Sequence, residues 1–444
     1  MLSDPICALA TASGRSALAV VRLSGTGAHE IMRRVLRWPA DRPVEPRRME
    51  LATIHDADDR PVDQSLVTFF PGPASYTGED LVEISCHGGM VVPARVLVAL
   101  LSRGARLAGP GEFTRRAVLN GRMDLIQAEA VGDLIDASTE AQGRAALHQL
   151  EGGLSRRIQE LRVSFLDLLA MMAYDIDFPE EDDGPVDREQ IVAALSVAGT
   201  VVNRLLATAP LGARLQRGAL VVLAGRPNAG KSSLFNALLG VERVLVTEVA
   251  GTTRDAVEVQ LDVDGWPVRL VDTAGLRVSD DRIERLGIEM SHRYLAAADL
   301  VLLCVEAAGA VSEEEAELVN SKPVLVVRTK ADLVLEPPAG ELSVSVVDGA
   351  GLPAVKAALV ATLFGVDTSV TDFEPWLTNE RHRLGLERAA AALAAARPHL
   401  GPGGDVVLAA HHVQGAVAAV DGLLGVVDFE EVLGRLFARF CVGK

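Results

Sequence analysis

Short apolar runs broken by turn residues open the chain. Ala17–Leu23 ends at Ser24-Gly25, and Leu81–Ser85 runs into Cys86-His87-Gly88-Gly89. Together they predict strands of a small α+β module over residues 1–118. The period then lengthens. Asp124 can cap a helix with Gln127 three residues on, placing Leu125, Ala128, Val131 and Ile135 on one face. Leu150, Leu154, Ile158, Leu161, Phe165, Leu168 and Met172 recur at spacings of three and four, the seam of a longer helix in a bundle. Phe178-Pro-Glu-Glu-Asp-Asp-Gly184 should end it as a solvated acidic loop.

From residue 214 to 372 the pattern becomes strand, loop, helix, repeated. Apolar strands at Ala219–Ala224, Val268–Val271, Leu300–Val305 and Val324–Val327 predict a parallel-sheet α/β unit. Val257, Val259, Leu261 and Val263 alternate strictly, as a half-exposed edge strand does. After Pro375 the chain reads as helical again. The simplest organisation inserts the α/β unit between two parts of one helical domain, residues 119–213 and 373–444; two separate helical domains fit the same pattern.

The 444 residues carry 43 Lys+Arg against 60 Asp+Glu, a net charge of −17, which speaks against a protein gripping nucleic acid unaided. No apolar run approaches the ~18 residues of a membrane span, so no membrane partner is expected, and the N-terminus lacks the basic start and apolar block of a signal peptide. Four scattered cysteines, Cys7, Cys86, Cys304 and Cys441, form no disulfide framework and point to a reducing, cytoplasmic compartment. Only five basic residues are lysine, and three of them, Lys231, Lys330 and Lys444, lie in the motifs below.

Gly225-Arg-Pro-Asn228-Ala229-Gly230-Lys231-Ser232 fits a phosphate-binding loop between a buried strand and a helix, continued by Ser233. Glycines let backbone amides wrap phosphates, Lys231 reaches the β/γ-phosphates, and the Ser232 hydroxyl ligates Mg²⁺. A polar loop follows with Gly251, Thr252 and Thr253, of which Thr253 can complete the Mg²⁺ shell. Asp272, Thr273, Ala274 and Gly275 end a strand, where the carboxylate can support the metal and the Gly275 amide can meet the γ-phosphate. Thr329, Lys330, Ala331 and Asp332 end another, and an Asp332 carboxylate would accept the N1 and N2 hydrogens of guanine. In this order the pieces imply a GTPase. Thr329 stands where Asn is commonest, which puts one base contact and one tether to the phosphate loop in question. Ser345, Val346 and Val347 replace the usual Ser-Ala start of a further base contact, made by backbone amides. Leu276 stands where many GTPases place a water-orienting Gln, leaving Asp280, Asp281 and Glu284 downstream as polar substitutes. Asn228 reads either as an ordinary turn residue or as an oxygen ligand for a monovalent cation.

Six further stretches complete the picture: Pro71-Gly-Pro-Ala-Ser-Tyr-Thr-Gly-Glu-Asp80, Cys86-His-Gly-Gly89, Pro110-Gly-Glu-Phe-Thr114, Gln127-Ala-Glu-Ala130, Asp177-Phe-Pro-Glu-Glu181 and Phe440-Cys-Val-Gly-Lys444. With the phosphate loop, and in this order across nearly the whole chain, they resemble the MnmE (TrmE) family of tRNA-modifying GTPases. The resemblance implies a tetrahydrofolate-binding, dimerising N-terminal α+β domain, a discontinuous helical domain and an inserted Ras-like G domain. It implies a homodimer that works with the FAD protein MnmG, in a heterotetramer, to install an aminomethyl or carboxymethylaminomethyl group on C5 of wobble uridine (position 34) in certain tRNAs. GTP hydrolysis would be stimulated by K⁺. Carried over, Asn228, Thr247, Val249 and Thr252 would hold K⁺, with Glu248, Ala250 and Gly251 in the same nucleotide-binding loop. Glu284 would orient the hydrolytic water, and Arg22, Glu83, Arg122 and Lys444 would contact folate. Read without the resemblance, Arg22, Glu83 and Arg122 are also what solvated strand-end, outward-facing and turn residues look like. Cys441, flanked by Arg439 and Lys444, is a candidate reactive thiolate. Leu408-Ala-Ala-His411-His412-Val-Gln414 and Leu424-Gly-Val-Val427 depart from the family pattern and remove charge from a helical face. Two other readings share parts of this sequence: a ribosome-assembly GTPase switch, and a GTP-regulated folate-dependent one-carbon transferase.

Overall fold

The computed structural model describes residues 4–177, 188–241, 243–244, 258–272, 293–335, 340–365, 376–425, 440 and 443. They fall into two compact units, 1–132 with 424–444, and 133–423.

The first unit is built on a six-stranded sheet. Its strands are β1 (Ile6–Leu9), β2 (Leu18–Ser24), β3 (Met49–His55), β4 (Pro61–Phe70), β5 (Leu81–His87) and β6 (Arg106–Leu107), in the order β3-β4-β5-β2-β1-β6. Helices α1 (Ala28–Leu36) and α2 (Val92–Ser102) share its core, where Val21, Leu23, Ile31, Val35, Val82, Ile84, Val96 and Leu100 are buried. Strand alternation sends the intervening residues to the other face. There Leu18, Met49 and Leu51 stay exposed, and Arg22 and Glu83 face each other across the β2–β5 register. Helix α3 (Glu112–Leu119) follows. Its Arg116 is fully buried and bonds Asp4, Glu79 and Glu112, so three carboxylates neutralise one guanidinium. Helix α4 (Leu125–Asp136) opens with the expected reciprocal cap, Asp124 and Gln127 bonding each other's amides at 2.9 and 3.0 Å. Its buried face is not the predicted stripe. Leu125, Ile126, Ala128, Glu129 and Ala130 are buried, whereas Ile135 is 42% exposed.

In the second unit, α5 (Glu140–Leu150) and α6 (Gly153–Asp177) divide what the spacing presents as one seam. Gly152, at φ 86, breaks the helix after Leu150. The seam itself is as expected, with Leu154, Ile158, Leu161, Phe165, Leu168 and Met172 all buried. The acidic segment 178–184 lies outside the described residues. Helices α7 (Arg188–Leu206) and α8 (Ala209–Arg217) lead into the sheet. Residues 188–217 and Val406–Leu424 are long and apolar enough to cross a membrane by length and composition alone, as a buried core helix also is, although neither is an unbroken run of ~18 apolar residues. In α7 the cause is small apolar residues on the outer face, such as the 65% exposed Val197, added to a buried stripe of Ile191, Leu195, Ala198, Val202 and Leu205.

The second sheet comprises β7 (Ala219–Ala224), β8 (Arg243–Val244), β9 (Glu258–Val263), β10 (Trp266–Asp272), β11 (Leu300–Glu306), β12 (Val324–Thr329) and β13 (Leu342–Ser343). Their order is β13-β12-β11-β7-β10-β9-β8. The first five in that order run parallel, β9 pairs antiparallel to β10, and β8 pairs antiparallel to β9. The alternating strand is therefore not the edge: β8 pairs outside it, and Leu261 and Val263 are buried. Helices α9 (Lys231–Val241), α10 (Glu313–Ser321) and α11 (Leu352–Phe364) accompany this sheet, and α12 (Glu380–Ala396) and α13 (Val406–Leu424) supply the late helical stretch.

Candidate nucleotide site and the N-terminal sheet face

Strand β7 is buried along its whole length, as the middle strand of a sheet covered on both faces must be. The chain leaves its carboxyl end through a loop of unusual backbone. Gly225, Asn228 and Gly230 have φ of 134, 66 and 81°. A Cβ at 225 would stand 2.3 Å from the Cys304 carbonyl oxygen, so only glycine lets the loop lie this close to β11. The loop closes on α9, whose first residue is Lys231.

Lys231 is buried, and its Nζ donates to the Gly225 and Arg226 carbonyls at 2.9 and 2.7 Å. The ammonium is thus folded into the loop that would surround phosphates. The Ser232 hydroxyl donates to Asp272 Oδ2 at 2.7 Å, and Asp272 closes β10, the neighbour of β7. A hydroxyl and a carboxylate this close are the oxygen-donor pair a hard divalent cation takes, so the residues suit Mg²⁺. Cys304 lies beneath them on β11, and burial pushes its thiol up to about 12, despite the opposing pull of Lys231. It is an inert packing thiol.

The base-side motifs converge on the same loop. Thr329, buried at the end of β12, donates its hydroxyl to the Ala229 carbonyl at 2.7 Å. The tether that the loss of Asn puts in question is present, made by a shorter side chain. Lys330, at φ 57, pairs with Glu306 at 2.5 Å. Ala331 bonds the Val344 carbonyl and opens a 3₁₀ turn, Ala331–Leu333, that leaves Asp332 exposed. Ser345 is buried next to it. Asp348 is held below its ordinary carboxylate value by the Ala350 amide and then by the Ser345 hydroxyl. Val346 and Val347 are exposed beside it.

The structure thus brings together Asn228, Ala229, Gly230, Lys231, Ser232, Asp272, Thr329 and Ser345, with Ser233 following in α9. Thr247, Glu248, Val249, Ala250, Gly251, Thr252, Thr253, Thr273, Ala274, Gly275 and Glu284 lie outside the described residues. Of the K⁺ set only Asn228 is described.

On the N-terminal sheet, Arg22 Nε meets Glu83 Oε1 at 2.8 Å, and the Arg22 guanidinium lies 5.4 Å from the centre of the Tyr76 ring. Tyr76 in turn bonds Thr114 at 2.8 Å. Arg122 is exposed, and its Cγ lies 3.2 Å from where a Cβ on Gly78 would be. The 71–80 stretch therefore touches Arg22 through Tyr76 and Arg122 through Gly78. Lys444 and Cys441 lie outside the described residues. Sequence reasoning missed Tyr76, although it sits within one of the motifs. It also missed the Asp63–His87 pair at 2.7 Å, which β4 and β5 bring together. Among the described residues no group of three or more His, Cys, Asp or Glu could hold a metal ion.

Comparison with known families matches residues 125–441 to the MnmE helical domain and residues 5–122 to the GTP-binding protein TrmE N-terminus. Curated relatives that bear the description tRNA modification GTPase MnmE include the following three. That of Akkermansia muciniphila is 40% identical over 451 residues, and that of Aquifex aeolicus 38% over 455, each alignment covering all of both chains. The Methylobacterium radiotolerans protein is 43% identical over 452 residues, covering all of this chain and 99% of its own.

Proposed function

The chain belongs to the MnmE (TrmE) family, and on that premise we propose that it is the GTP-hydrolysing subunit of a tRNA-modifying complex. The observation that carries the reading is the Lys231–Ser232–Asp272 arrangement at the carboxyl ends of β7 and β10. Lys231 would donate to the β/γ-phosphates, releasing loop carbonyls that it now bonds. Ser232 would ligate Mg²⁺ directly, with Asp272 behind it and Thr253 completing the shell. The metal supplies positive charge where negative charge develops on the phosphate oxygens. Glu284 would orient the attacking water, replacing the Gln that Leu276 displaces. Asn228, Thr247, Val249 and Thr252 would hold K⁺.

In the full reading, residues 1–118 form a homodimer and bind a tetrahydrofolate derivative through Arg22 and Glu83, joined by Arg122 and Lys444 from beyond that segment. The exposed Leu18, Met49 and Leu51 support an interface on the open sheet face. Residues 119–213 and 373–444 form the helical domain, and residues 214–372 the G domain. With MnmG, the cytoplasmic complex would place an aminomethyl or carboxymethylaminomethyl group on C5 of uridine 34. Phosphate release from GTP tests the first link. The wild-type rate should exceed that of Lys231→Ala by ~10²-fold or more, and should be higher in KCl than in NaCl. Equal rates for wild type and variant would remove the site; equal rates in the two salts would remove the K⁺ assignment alone.

A further inference from the structure

Guanine presents two edges to a protein. N1–H and N2–H donate on one, whereas O6 and N7 accept on the other. A side chain that reads N7 must have a hydrogen to give. Thr329, Lys330 and Ser345 are the side-chain donors of the base-side motifs; the two hydroxyls are spent elsewhere, and the ammonium is drawn to a carboxylate. The Thr329 hydroxyl has one hydrogen, and it lies 2.7 Å from the Ala229 carbonyl, with the Val305 carbonyl second at 3.3 Å. The Lys330 ammonium pairs with Glu306, and the Ser345 hydroxyl serves Asp348. Asp332, as a carboxylate, only accepts. Two of the three amides at 345–347 are also spent, Ser345 on the Ala350 carbonyl and Val347 on the Ser345 hydroxyl. That leaves the Val346 amide for O6.

We infer that Thr329 fixes the specificity of this site by spending its hydrogen bond on the phosphate loop, so that guanine is recognised through N1, N2 and O6 while N7 goes unread. The inference rests on the guanine-site reading above. An Asn at 329 carries a two-hydrogen amide and a carbonyl, enough for loop and base together; a Thr has to choose. Burial strengthens the choice. Thr329 is 3% exposed, and both carbonyls within reach of its hydroxyl, those of Ala229 and Val305, are protein groups.

The test replaces N7 by carbon. GDP and 7-deaza-GDP are titrated calorimetrically against the full-length wild type, Thr329→Asn and Thr329→Val. The wild type should bind both nucleotides within about twofold. Thr329→Asn should acquire a ~3–10-fold preference for GDP, the value of one hydrogen bond. Thr329→Val should weaken both nucleotides by the same factor, because it loses the loop tether alone. A wild type that discriminates against 7-deaza-GDP severalfold overturns the inference, as does a folded Asn variant that remains indifferent. The wild-type comparison decides the matter if the Asn variant does not fold. Failure of GDP itself to bind would remove the guanine-site reading and this inference with it, an outcome distinct from binding without discrimination.

Discussion

The nucleotide site and the N-terminal sheet face reach their side-chain arrangements by opposite routes. The first starts from a local loop. Residues 225–232 run from one strand to the next helix, and positive φ at Gly225, Asn228 and Gly230 shapes the loop to which Asp272 and Thr329 are then brought. The second is a matter of register: Arg22 and Glu83 are 61 residues apart and meet because β2 and β5 pair Arg22 with Glu83 rather than with a neighbour. A one-residue slip would leave the phosphate loop intact and send Glu83 into the core. A short motif can therefore be read from sequence as a site, whereas a cross-strand pair can be read only after the sheet is known.

The contrast predicts where each region breaks. Arg116→Ala should have the largest effect, costing about 3–5 kcal/mol in the stability of the N-terminal unit, because Glu79 and Glu112 lose their buried partner. Denaturant unfolding, followed in that unit, measures it. The same network sets a pH dependence. Burial alone would raise the Glu112 carboxyl, but bonds from Arg106, the Gly109 amide and Arg116 depress it from 4.5 to about 2. A folded-state value below the unfolded one stabilises at higher pH. This contribution should be complete above pH 4.5 and disappear as pH falls toward 2, and Glu112→Gln should flatten that part of the profile.

Next in size is Asp272→Ala, which removes the carboxylate beside Ser232. A loss of ~10²–10³ in GTP hydrolysis is expected, with thermal stability nearly unchanged. Gly225→Ala should follow, at about 1–3 kcal/mol, since its methyl would meet the Cys304 carbonyl at a positive φ. Its mark would be weakened GDP binding. Arg22→Ala should be smallest in stability. The Arg22–Glu83 pair is 23% and 30% exposed, so less than ~1 kcal/mol is expected from denaturation. Its consequence should appear in binding of a tetrahydrofolate derivative instead. A large stability loss from Arg22→Ala with unchanged folate binding would turn the proposed site into a structural pair.

What was legible follows the same division. The apolar strands of the second sheet and the seam of α6 were visible because their residues carry their own period. The break after Leu150 was not, since it depends on Gly152 taking a positive φ within an otherwise helical pattern. Nor was the position of β9, because strict alternation does not reveal that β8 would pair outside it. Thr329 is instructive. Its identity raised the question of a missing tether, and only the placement of Ala229 against β12 answered it. Arg116 went unnoticed because a buried guanidinium has no periodic signature; Asp4 and Glu79, from distant segments, had to be brought to Glu112 on its own helix first.

The central claim is that GTP hydrolysis at Lys231, Ser232 and Asp272 serves modification of tRNA. Nucleoside mass spectrometry of total tRNA from a strain lacking this gene tests it most directly, with wild-type and Asp272→Ala copies returned separately. The account predicts loss of the C5-aminomethyl-type wobble uridines, restored by the wild-type copy and not by Asp272→Ala. Full restoration by a stably expressed Asp272→Ala copy would contradict it, and so would a nucleoside profile unchanged by loss of the gene.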